Sequence, residues 1–271
     1  MKDRLHPSGR PLALLVAVAT AVSWLAAGSP ASAPLEIVGG VGLTHLTVYE
    51  ERRAPDGVYS GSPHVHAVTD EGYYVLSGAG RVELHDLDRG YRAVELRAGT
   101  YLQFPPGTLH RLVNDGGLTI LVVMGNGGLP ERGDARIYFG RTVDENPAEY
   151  ARLAGLAREK GLAGALDRRD AAVRAYQGLL ALWRTDRAAY RAELGRFVGL
   201  HRRAMAAERE KLAAGVAEGP VSWGELGLRR VKALPEAVAG EGPLVREPGG
   251  EPALGMCGIL RPVTALRPVD K

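Results

Sequence analysis

"GSPHVHAVTDEGYYVLSG", Gly61 to Gly78, sets two histidines one residue apart and a glutamate five positions after the second. Side chains two apart in an extended chain point the same way, so His64 and His66 project together while Val65 turns aside. The connection "AVTD" leads into a further strand that begins at Glu71, beside the histidines. On that strand Tyr73 and Val75 share the inward direction of Glu71, and Gly72, Tyr74 and Leu76 face out. Such a cluster, in a chain with only seven histidines, reads as part of a metal site that needs one more contributor.

"GTYLQFPPGTLHRLVN", Gly99 to Asn114, supplies His110 just after a turn made by Pro105, Pro106 and Gly107. Three neutral imidazoles and one carboxylate form a mixed nitrogen and oxygen donor set. It suits one divalent transition metal (Mn, Fe, Zn, Cu, Ni or Co) and poorly suits Ca or Mg. Tyr73 is a candidate hydrogen-bond donor to a bound ligand. Tyr101 and Gln103, which share one face of their strand, are candidates for the pocket or for the barrel filling. His45, His85 and His201 read as surface or capping residues. Cys257, the sole cysteine, reads as a small buried residue and excludes an intrachain disulfide.

The spacings carry a family resemblance. Gly99, Pro105, Gly107, His110 and Asn114 reproduce the second signature of the cupin superfamily without a departure. His64, His66, Glu71 and Gly78 reproduce the first, except that its leading glycine, Gly57, stands one residue early. Residues 35–140 thus resemble a single-domain cupin. The resemblance implies a mainly β fold, a jelly-roll β-barrel, with the metal held inside one end by His64, His66, Glu71 and His110. It also implies a small-molecule ligand and, as one assembly, a homodimer.

Strand-like segments separated by Gly, Pro, Asp and Asn about every ten residues from 35 to 140 point independently to an antiparallel barrel or sandwich. From Asn146 the period becomes helical: Asn146 as N-cap, Pro147 at the first position and Gly161 as a stop, then helices over about 168–183 and 186–217. The second of these offers Tyr190, Leu194, Phe197, Leu200 and Met205 as a buried face, and its many arginines alternate with acids as a solvated, ion-paired surface. Residues 146–219 read as a helical region, and residues 146–271 carry neither cupin signature. Residues 220–271, rich in Pro and Gly, are expected to be loosely ordered, apart from a short helix with a capping box at Ser222 and Glu225.

Residues 1–33 have the layout of a signal peptide: a basic start, the apolar run from Pro11 to Gly28, and small residues with cleavage somewhere in 28–33. Export to the periplasm or the exterior follows, with an uncleaved membrane anchor as the alternative. These residues carry +2 of the formal charge of +3, so the remainder is nearly neutral and no nucleic-acid partner is expected. The resulting reading is an exported metal-binding protein, most readily a metal-dependent oxidoreductase of the dioxygenase or oxalate-oxidising kind. The alternative is a non-catalytic small-molecule-binding module whose helices dock a partner.

Overall fold

A computed structural model describes residues 37–126, 129–235, 242–246, 251–264 and 266–269. The signal-peptide reading lies outside the described residues. Among those described, no helix is long and apolar enough to cross a membrane.

The chain runs through β1 (Gly42–Val48), β2 (Tyr59–Ser60), β3 (His64–His66), β4 (Glu71–Asp86), β5 (Gly90–Arg97), β6 (Tyr101–Phe104), β7 (Leu109–Met124) and β8 (Ala135–Ile137). Helices follow: α1 (Arg141–Asp144), α2 (Pro147–Thr185), α3 (Arg187–Ala207), α4 (Arg209–Val216) and α5 (Ser222–Lys232). The tail adds β9 (Leu244–Val245), β10 (Ala253–Leu254), β11 (Gly258–Pro262) and β12 (Arg267–Pro268). Ten of the strands form one antiparallel sheet, and β9 pairs with β12 apart from it.

The sheet is organised by β4 and β7, which pair from Glu71↔Met124 to His85↔Leu109. Alternate residues of β4 (Tyr73, Val75, Val82 and Leu84) enter the barrel core with Leu46, Leu112 and Ile120. The two strands shift register between Val75 and Gly80. There Gly78 has φ 76°, and a β-carbon would collide with the Gly117 carbonyl, so only glycine fits this signature position.

The helices pack on the outside of the barrel. Asn146 caps α2 by accepting from Glu149 N, and Asp186 caps α3 through Ala188 N and Ala189 N. Gly161 interrupts α2 with φ 59° and ψ −141°, but the helix resumes at once rather than near residue 168. Tyr176, Leu179, Tyr190, Leu194 and Phe197 then bury against Val65, Leu109 and Tyr138.

Several expectations are corrected here. His85 is not a surface residue: it is fully buried, with Nδ1 2.9 Å from Tyr190 Oη and Nε2 2.7 Å from Tyr176 Oη. The outward side of β4 at Glu83 and His85 faces helices rather than water. The capping box at Ser222 does not form, because the preceding Val221 is itself helical and Ser222 Oγ donates to Ala217 O at 2.7 Å. Nor is the tail loosely ordered throughout. β11 pairs with β1 from Thr44↔Pro262 to Val48↔Gly258, covering an edge that β1, paired on its other side with β7, would otherwise leave open.

Candidate metal centre

His64 and His110 lie directly opposite one another across β3 and β7, and His66 is two residues along β3. Glu71 opens β4 between Phe104 of β6 and Met124 of β7. All four side chains are buried, and one donor atom from each falls within 4.8 Å of every other.

Backbone and carboxylate partners aim the rings. His64 Nδ1 is 3.0 Å from Ser62 O, and His110 Nδ1 is 3.0 Å from Thr108 O. Each Nδ1 must donate to its carbonyl, which leaves both Nε2 atoms as bare acceptors. Those two acceptors stand 3.0 Å apart. Glu71 Oε2 is 3.0 Å from His110 Nε2 and 3.3 Å from His66 Nε2. Lone pairs facing one another in a dry interior repel unless a cation lies among them, so the donor set fits a metal ion on the chemistry of its own atoms.

Burial, followed by the neighbouring His110 and His66, lowers the His64 pKa well below the usual imidazole range. Burial opposes protonation of His66 too, but the Asp134 and Glu71 carboxylates outweigh it and raise that ring to about 9. Burial also works against ionised Glu71, while His110 and His66 hold its carboxyl well below the usual range.

Sequence reasoning missed Asp134. Its Oδ2 lies 3.2 Å from His66 Nδ1, and the same carboxylate accepts from Ala67 N, Val68 N and Thr69 N. His201, expected on the surface, is 2% exposed and reaches Asp134 O at 2.6 Å. His45 is half-buried on β1 and lies outside the donor cluster.

Tyr73 lies in the interior as its strand phase requires, with Oη unpartnered and its pKa raised by burial and by Glu71. Tyr101 and Gln103 do not reach the interior. Both are exposed and bond each other at 2.8 Å, while Leu102 and Phe104 take the inward phase of β6. The register explains this: Tyr101 lies opposite outward Tyr74, and Phe104 opposite inward Glu71. Phe104 instead packs against His110, with ring centroids 4.6 Å apart.

A cavity of about 130 Å³ opens onto His64, His66 and Glu71. Its other walls are Thr44, Leu46, Val122, Met124, Pro130, Ala135, Met256, Cys257 and Leu260, which include no lysine or arginine. Cys257 was not expected at the site. Its Sγ is 3.8 Å from His64 Nε2, and burial and then Glu71 push its thiol pKa well up. A larger groove of about 340 Å³ between Ala67–Val68 and α3–α4 includes none of the four donors in its walls.

Residues 51–124 match the family model of the cupin domain. No curated protein matches the sequence. Among solved structures, WlaRA, a TDP-fucose-3,4-ketoisomerase from Campylobacter jejuni, is 9% identical over 35% of this chain and 64% of its own, with a TM-score of 0.29. QdtA, a sugar 3,4-ketoisomerase from Thermoanaerobacterium thermosaccharolyticum solved with TDP, is 16% identical over 44% of this chain and 74% of its own, at TM-score 0.29. A mutant of the oxalate decarboxylase OxdC from Bacillus subtilis is 20% identical over 39% of this chain and 26% of its own, also at 0.29.

Proposed function

With a cupin domain at residues 51–124 as the premise, we propose that the chain is an exported protein that holds one divalent transition metal through His64, His66, Glu71 and His110. We further propose that it acts as an oxidoreductase of the dioxygenase kind on a small oxygenated molecule. The observation that carries the metal reading is the 3.0 Å approach of two imidazole nitrogens whose other nitrogens are committed to carbonyls. A bound ion would supply Lewis acidity, orienting a ligand oxygen and stabilising negative charge that develops on it.

The cavity narrows the ligand. At about 130 Å³ and walled mostly by apolar side chains, the site suits a small molecule, or the reactive end of a larger one. A divalent ion beside ionised Glu71 carries one net positive charge, and buried Asp134 behind His66 offsets part of the rest. With no lysine or arginine in the walls, a neutral or singly charged ligand is balanced. A dianion such as oxalate would leave buried charge uncompensated, so the oxalate-oxidising variant of the reading is the weaker one.

Elemental analysis tests the metal reading. The mature protein is expected to hold about one divalent transition-metal ion per chain, Mn or Fe being what the dioxygenase reading needs, and a His64→Ala, His110→Ala double variant none. Metal retained by that variant, or no uptake by wild type under saturating supply, overturns it. N-terminal sequencing of protein recovered outside the cytoplasm checks export: a start between residues 29 and 34 is expected. Saturable binding of a small oxygenated ligand without turnover would instead favour the binding-module alternative, which the lack of any acid or base in the cavity walls apart from the donors and the Cys257 thiol supports.

A further inference from the structure

The turn between β10 and β11 closes one side of the cavity, where Met256 and Cys257 form part of the wall. Gly61 lies directly beneath it; a β-carbon there would stand 2.6 Å from Cys257 Cα. The carbonyls of this corner are held from several directions. Gly255 O accepts from Arg168 Nη2 at 2.6 Å and from Tyr49 Oη at 2.8 Å, Leu254 O accepts from Arg168 Nη2 at 3.3 Å, and Met256 O accepts from Ser62 N at 2.8 Å.

Arg168 is the unusual member of this set. It sits on α2, outside the barrel, is 7% exposed, and among the described residues has no carboxylate within salt-bridge distance. Its Nε is buried without a partner. A guanidinium buried without a carboxylate counterion is costly, and a hydrocarbon side chain would fill the same volume without that cost. What the charge provides is one strong donor nitrogen, Nη2, shared between two successive carbonyls of the corner.

We propose that Arg168 is a positioning residue that holds the Leu254–Gly258 corner down over the metal cavity, and that this corner sets the size of molecule that reaches the donors. The inference rests on the metal-site reading for what the cavity binds; the closure itself does not depend on it. It also gives the helical region a task at the site, since α2 anchors the wall facing His64.

Because Cys257 is the sole cysteine, its alkylation, compared between variants at one pH and one metal loading, reports access to the corner. The full chain is treated with a bulky maleimide at fixed pH, as wild type, Arg168→Met, Arg168→Lys and Tyr49→Phe, with cooperative thermal unfolding confirming that each is folded. Arg168→Met is expected to react about tenfold faster or more, Arg168→Lys to recover part of the protection, and Tyr49→Phe to fall between. Metal content stays at the wild-type level, and the affinity for benzoate relative to acetate rises in Arg168→Met. Wild-type alkylation rates in folded Arg168→Met, or in Tyr49→Phe should the former not fold, overturn the proposal. An unchanged benzoate-to-acetate ratio overturns the size-selecting part of it. A protected Cys257 in wild type that takes up no metal would sink the metal reading and leave the corner's closure standing.

Discussion

Asp134 shows how a residue can be built into the candidate centre without any mark in the sequence. His66 is aimed by this carboxylate, whereas His64 and His110 are aimed by carbonyls two residues before them. Asp134→Asn keeps the shape and removes the charge, so metal affinity is expected to fall about 10- to 100-fold in a chelator competition, with the four donors intact. The donors themselves were legible because each spacing has a local cause: a two-residue strand phase for the histidines and a tight turn before His110. Asp134 was not legible, since it lies 68 positions from the ring it orients. Tyr101 and Gln103 failed for a different reason. Their shared face was evident, but which face of β6 turns inward is decided by the register with β4, and no short pattern encodes that.

The elements of the helical half were readable by their ends more than by their middles. Asn146 and Asp186 cap where side-chain chemistry demands, and Gly161 breaks the helical path where the stop was expected, with the next helical stretch following at once. Its φ and ψ lie where essentially only glycine is comfortable, so Gly161→Ala is expected to cost about 1–3 kcal/mol in urea unfolding although open space surrounds the position. The seam between β4 and the helices carries the second prediction at this scale. Burial lowers the His85 pKa from 6.5 to about 3, so the unfolded chain takes up a proton that the folded one refuses. The contribution of neutral His85 is fully present above pH ~6.5 and is lost as pH falls toward ~3, at about 1.4 kcal/mol per pH unit. A His85→Gln variant should lose stability less steeply between pH 6 and 4, read from urea midpoints at each pH. An equal slope in the two proteins would show that His85 is not excluded from protonation by the fold.

At the scale of the molecule, barrel and helices were read as successive regions, and the cupin spacings did mark the barrel. What the spacings could not reveal is how far the barrel depends on the rest. Its outer face buries Glu83, His85 and Arg111 beneath α2 and α3, with Tyr176 Oη donating to Glu83 at 3.1 Å. Its first strand is completed by β11 from the tail. A chain cut after residue 140 would therefore expose buried charge and an open strand edge together. That fragment is expected to aggregate or to show no cooperative unfolding by circular dichroism, whereas the full chain melts as one transition.

The pairing of Val48 with Gly258 also imposes an order in time. Roughly 210 residues separate the two, and at about 5–20 residues per second a ribosome needs on the order of 10–40 s to pass from one to the other. All four donors are made within the first part of that interval, and the corner bearing Cys257 arrives only at its end. Every nascent copy therefore passes through a stage in which the binding residues exist and the wall over them does not. Completion of the candidate site thus waits for the end of the chain.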